Sequence, residues 1–177
     1  MNKPSETIRE QMLAFRCPRW EEFPQVELYM DQLIEYINTV LEPLSLNDES
    51  AFVTKSMVNN YVKSALLLPP VKKRYSQKHV GYLLVICLLK LCYPLHEIGE
   101  LIDIYRNLPD KQIELHYDRF ATIFEKSLHE IFAADQLTYQ LYEEPTVQQQ
   151  LMNTGIRALT CRLYSEYLLQ RCREQTA

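Results

Sequence analysis

Glycine is scarce in this chain: three residues in 177, at Gly81, Gly99 and Gly155. So few leave no room for a glycine-rich phosphate-cradling loop, and they argue against an all-β chain of tight turns. No apolar run is long enough to span a bilayer. The longest, Gly81 to Leu95, is about 15 residues, short of the roughly 18–20 required, and it carries Lys90. It reads as a buried core helix. The polar start MNKPSETIREQ has no apolar stretch of the kind a signal peptide needs. No Cys-x-x-Cys pair occurs among Cys17, Cys87, Cys92, Cys161 and Cys172, and their number is odd. That spacing offers no disulfide framework, so reduced thiols in a cytoplasm are expected. The histidines, His79, His96, His116 and His129, show no metal-ligand spacing with those cysteines, and no Ser-His-Asp or Cys-His arrangement stands out. The expectation is therefore a protein that is not an enzyme, with no cofactor, no metal and no membrane partner.

Acids are absent from one stretch. Between Glu49 and Glu97 there is no Asp or Glu, while Lys55, Lys63, Lys72, Lys73, Arg74, Lys78 and Lys90 all fall inside it. Twelve of the 19 Lys and Arg and all 23 Asp and Glu lie elsewhere, a balance of −11 around a +7 segment. Clustered cations with no acids nearby are the electrostatic footprint of a phosphate-binding surface. A solvated basic face with no partner has the same composition.

What is present has helical period. Residues 1–20 read as an arm or short helix, with Trp20 pinning it to the core. After Pro24 the stripe Val26, Tyr29, Met30, Leu33, Ile34, Ile37, Val40 and Leu41 marks an amphipathic helix, with Glu27, Asp31 and Glu35 on its outer face. Pro43 and the segment SLNDES end it in an acidic loop, Asn47 to Ser50. Thr54 suits the N-cap of a short helix to about Ser64. Met57, Val58, Tyr61 and Val62 are its expected buried side, and Ser56, Asn59, Asn60 and Lys63 its polar side. Pro69-Pro70 halts any helix, and Val71 to Tyr75 reads as a short extended or hairpin segment. Ser76 then caps a helix to about Leu91, apolar almost all round. Pro94 opens another to Tyr105, ended by Asn107-Leu108-Pro109. Two longer helices follow. The second, about Thr146 to Cys172, carries one apolar line through Ile156, Leu159, Leu163 and Tyr167 and another through Cys161, Tyr164, Leu168 and Cys172. A second line suggests deep burial or a subunit interface.

The segments VTKSMVNNYVKSALLLPP, VKKRYSQKH, VGYLLVICLLKL and PLHEIGELI, running from Val53 to Ile102, resemble the DNA-binding head of MerR-type regulators. There a recognition helix reading V-S-x-x-T-L-R-Y-Y-E-x-x-G-L-L-x-P precedes a basic wing, an apolar helix and an S-L-x-E-I helix. The arginine of that pattern falls at Asn59 and its glycine at Ala65, and the wing between Pro70 and Tyr75 is very short. The chain is more similar still to a bacterial family of unknown function carrying T-K-x-M-x-N-N-Y-V-K and P-P-V-K-K-x-Y, a likeness covering most of residues 18–105.

The resulting expectation is an all-α protein. Residues 1–48 form an arm and support helix, 49–108 a MerR-like winged helix-turn-helix head with a short wing, and 109–177 a C-terminal helical region for dimerisation or regulation. The resemblance implies a transcriptional regulator that binds double-stranded DNA as a homodimer. Lys55, Ser56, Asn59, Asn60, Lys63, Lys72, Lys73, Arg74 and Lys78 are the candidate DNA-binding residues, and the sequence does not identify an effector. Asparagine can make two hydrogen bonds to an adenine edge, although Asn-Asn pairs are also common near helix ends. Lys72-Lys73-Arg74 suits phosphate better than bases. The alternative is a helical protein–protein adaptor that binds no DNA.

Overall fold

The computed structural model describes residues 3–45, 51–107 and 112–176. Among them are seven α-helices: α1 (Ser5–Ala14), α2 (Met30–Leu41), α3 (Lys55–Lys63), α4 (Gln77–Leu89), α5 (Leu95–Arg106), α6 (Ile113–Ala134) and α7 (Val147–Thr176). Two single 3₁₀ turns, Trp20–Glu22 and Glu42–Leu44, link them. The described residues contain no β-strand, only two isolated antiparallel bridges, Leu28 with Tyr75 and Val71 with Arg74. The protein is all-α. None of the described helices is long and apolar enough to cross a membrane. The expected acidic loop at Asn47 to Ser50 and the helix stop at Leu108-Pro109 lie outside the described residues.

The chain divides into two compact units interleaved in sequence. One comprises residues 1–17, 42–50 and 119–177; the other comprises 18–41 and 51–118. The second holds α2 to α5 and the first turns of α6. Its centre is α4, which buries nine residues and so has no polar face to offer water. An aromatic cluster closes one side. Phe23 lies 4.8 Å from Tyr117 and 5.4 Å from Trp20, centroid to centroid. Gly81 in α4 admits this cluster, because a Cβ there would stand 3.0 Å from the Trp20 ring. Trp20 pins its segment through its backbone N–H as well, which donates to the Asp118 carboxylate at 2.7 Å.

Helix α2 begins at Met30, so Val26 and Tyr29, expected on its stripe, precede it and are 72% and 51% exposed. The reason is local pairing. Leu28 exchanges two backbone hydrogen bonds with Tyr75, at 2.8 and 2.9 Å, and is held extended where a helix would otherwise start. Leu33, Ile37 and Leu41 form the buried line of α2.

The first unit packs α1 against α7 and contains most of α6, with Met12, Phe124, Leu128, Ile156 and Leu159 in its core. The N-terminus of α1 is closed by a side chain distant in sequence. The Glu174 carboxylate accepts from the Ser5 N–H at 2.8 Å and from the Ser5 hydroxyl, which holds that carboxyl below the usual carboxylate range. Glu130 plays a similar part for the segment after α6, accepting from the backbone N–H of Thr138 at 2.7 Å and of Tyr139 at 2.9 Å.

Candidate nucleic-acid interface

Helix α3 is placed by two devices. Asn38 of α2 clasps the residue ahead of it, its amide donating to the Val53 carbonyl at 3.0 Å and its carbonyl accepting from the Val53 N–H at 3.1 Å. Thr54 then caps the helix, its hydroxyl accepting from the Met57 N–H at 3.3 Å, which satisfies one of the orphan donors of the first turn. Val58 and Tyr61 face inward. Burial pushes the Tyr61 hydroxyl up to about 12, with Cys87 adding to the effect, so Tyr61 is a core residue and not a phosphate donor.

Positions 56, 59, 60 and 63 share the other face, at the spacing that puts residues side by side on a helix. Ser56, Asn59, Asn60 and Lys63 are all exposed and line one surface concavity with Thr54 and Met57. Met57 is 37% exposed, contrary to its expected place on the buried side, because the short helix needs only Val58 and Tyr61 to seat it. Among the described residues, the side-chain amides of Asn59 and Asn60 have no hydrogen-bond partner, and Lys63 has no ion pair. Lys55 is exposed as well but is directed elsewhere: its ammonium lies 2.6 Å from the Asp31 carboxylate of α2. The acidic outer face of α2 thus takes up one of the candidate cations.

Helix α3 ends in a left-handed residue, Ala65, at φ 59°. The backbone then turns so that the Leu67 N–H donates to the Tyr61 carbonyl at 3.0 Å. Leu66 and Leu67 are delivered into the core. Beyond Pro69-Pro70 the chain makes the smallest possible hairpin. Val71 and Arg74 exchange two backbone hydrogen bonds, at 3.1 and 2.8 Å. Lys72 and Lys73 between them have φ 48° and 62°, the arrangement of a type I′ turn. Such turns favour Asn-Gly or Gly-Gly, and each non-glycine residue in this region costs about 1–2 kcal/mol. Both lysines are exposed.

Arg74 does not join them at the tip. Its guanidinium stacks 3.7 Å from the centroid of the Tyr29 ring and reaches the Glu27 carbonyl at 3.5 Å, and it is only half exposed. The base of the hairpin is tied to a single imidazole. His79 Nδ1 accepts from the Ser76 N–H at 3.0 Å, and Nε2 faces the Pro69 carbonyl at 3.4 Å. With Nδ1 accepting, the ring proton sits on Nε2 and donates to Pro69. Burial holds the His79 pKa below its ordinary value, against the raising effect of the Pro69 and Leu68 carbonyls. Lys78, at the start of α4, is exposed. The structure therefore gathers Ser56, Asn59, Asn60 and Lys63 on one face and sets Lys72 and Lys73 at a hairpin tip, while Lys55 and Arg74 are engaged within the protein. Asn38, Tyr29 and His79, which hold these parts, carry no signal in the sequence beyond being polar or aromatic at ordinary positions.

Residues 18–120 match the family described as a domain of unknown function, DUF1836. The chain belongs to this family. The DUF1836 match begins where the second compact unit begins and runs two residues past its end at Asp118. It takes in α3, the hairpin and α4 entire. No curated protein and no solved structure matches the chain.

Proposed function

We propose that the DUF1836 part of this protein is a MerR-like winged-helix head that binds double-stranded DNA, with α3 in the major groove and the Lys72-Lys73 hairpin on the phosphate backbone. One observation carries the reading: on the exposed face of α3, two asparagine amides with no internal partner stand beside Lys63 in one concavity. Each of these amides supplies a donor and an acceptor together, the combination that matches an adenine edge. Two further features support it. The left-handed residue after α3 falls where the MerR pattern has glycine, so the chain makes the turn that the pattern's glycine permits. The hairpin is the minimal form of a wing, and its two exposed cations sit on strained backbone of the kind that clusters at functional sites. In this reading Lys63, Lys72, Lys73 and Lys78 are phosphate contacts, Ser56, Asn59 and Asn60 read bases, and Lys55 and Arg74 orient α2 and the hairpin.

The test is binding to duplex DNA followed by fluorescence anisotropy as salt is raised. Substituting Lys72 and Lys73 together by alanine is expected to weaken binding to every sequence alike. Asn59→Ala or Asn60→Ala is expected to reduce discrimination between sequences by about 1–3 kcal/mol. If the parent binds no duplex at low salt, the adaptor reading, in which the same face meets an acidic protein, takes its place.

A further inference from the structure

The buried line of α7, including Ile156, Leu159 and Leu163, is committed to its own unit. The opposite side carries an uncharged line. From Val147 to Cys172, every residue reached by alternate steps of four and three is exposed, and none is charged. Tyr164, expected on the open line, is instead half-buried, with its ring 5.1 Å from that of Phe132. Steps of four and three sustained for over three heptads are the pattern of a helix that receives another helix along its length, here over roughly 38 Å at 1.5 Å per residue.

Which helix it receives is indicated by the order of the residues. Inside its unlike end residues, Val147 and Cys172, the stripe has the same order of sizes from either end: a rotation centred between Leu159 and Thr160 exchanges Leu151 with Leu168, Thr154 with Ser165, and Ala158 with Cys161. Large residues meet large ones, 38% and 39% exposed at present, and small meet small in the middle, where two backbones can approach closely. A two-fold interface has this requirement, that residue i meets j and j meets i. The charges point the same way. The first ten residues of α7, Val147 to Ile156, carry none, while Arg157, Arg162, Glu166, Arg171, Arg173 and Glu174 all lie in the remainder. An antiparallel pair keeps Arg157 and Arg162 at the two-fold centre but lays Glu166 and Arg171 against the uncharged, glutamine-rich start of the partner helix, opposite Asn153 and Gln148. A parallel pair would set all three arginines, Arg157, Arg162 and Arg171, against their own counterparts.

We infer that α7 pairs with α7 of a second copy of this chain, antiparallel and two-fold symmetric, through the stripe from Val147 to Cys172. This stands apart from the DNA reading and survives its failure.

The test is light scattering of the full chain at tens of micromolar, parent and variants, with circular dichroism to show unchanged helicity. The parent is expected at about twice the 21.0 kDa of one chain. Leu151→Lys alone and Leu168→Glu alone, both at exposed positions, are expected to give monomers. The two together in one chain are expected to restore the dimer, because each lysine then faces a glutamate across the two-fold. A monomeric parent, single variants that remain dimers, or a double variant that remains monomeric would each overturn the proposal. The last result would indicate parallel pairing, which sets lysine against lysine.

Discussion

Ala65 holds a backbone conformation that glycine adopts freely and alanine does not, at φ 59°. Ala65→Gly relieves about 1–2 kcal/mol of left-handed strain and returns about 0.5–1 kcal/mol of unfolded-state entropy. A net gain is expected, read as a rise in Tm. Lys72 and Lys73 carry the same strain and, in the DNA reading, a reason to keep it. Replacing both by glycine is expected to raise Tm while weakening DNA binding, and a variant in which both quantities fell would show that the lysines serve the fold. His79 behaves differently because its environment favours the neutral ring. Its pKa lies below the ordinary 6.5, so the unfolded chain takes up the proton first as pH falls. The contribution of His79 is intact above about 6.5 and is lost through the window between that value and the lowered one, as Nδ1 gains a proton and can no longer accept from Ser76. Thermal melts between pH 7.5 and 5.5 are expected to show Tm falling in the parent, with a shallower fall in His79→Gln.

Helix α3 depends on its cap more than a longer helix would, since its nine residues bury only Val58 and Tyr61. Thr54→Ala is expected to cost about 1 kcal/mol, checked by denaturant unfolding. This element was legible in the sequence almost to the residue, because capping and period are local signals: threonine before an apolar i, i+3 pair, and prolines beyond. The same holds for α4, whose apolar residues leave no other place for it, and for the stripe that marks α7. The start of α2 was not legible. Val26 and Tyr29 continue its period, and only the pairing of Leu28 with Tyr75, 47 residues away, removes them from the helix. Met57 misled for a related reason, since period places it beside Val58 but the helix is too short to need it. Period places Tyr164 on the open line of α7, but the rings of Phe132 and Tyr167 draw it inward and Ser165 takes its place.

The whole chain is acidic, with net charge −4, yet the candidate interface is basic, so in the DNA reading the attraction is local and short-ranged. Four exposed lysines, Lys63, Lys72, Lys73 and Lys78, have no ion pair among the described residues. If each neutralises one phosphate, the slope of log K against log salt is about −3.6, at −0.9 per contact. A slope near zero in a salt titration would remove the phosphate contacts from the reading. The acid-free window made these lysines visible in the sequence. It also counted Lys55 and Arg74, whose partners Asp31 and Tyr29 lie 24 and 45 residues upstream, beyond what composition along the chain can report.

The clasp of Glu174 on Ser5 spans 169 residues, and this gives the two units different histories during synthesis. The unit ending at Asp118 has all its residues when the ribosome has still to add 56 more to reach Glu174. At about 5–20 residues per second that is a lead of roughly 3–11 s, long against the folding time of a small helical domain. Helix α1, made before that unit, must wait through that interval with Ile8 and Met12 uncovered, because α7 supplies part of the surface that buries them. A segment made before the second unit is thus sealed after it, and any helper that shields nascent apolar surface has α1 to cover through that interval.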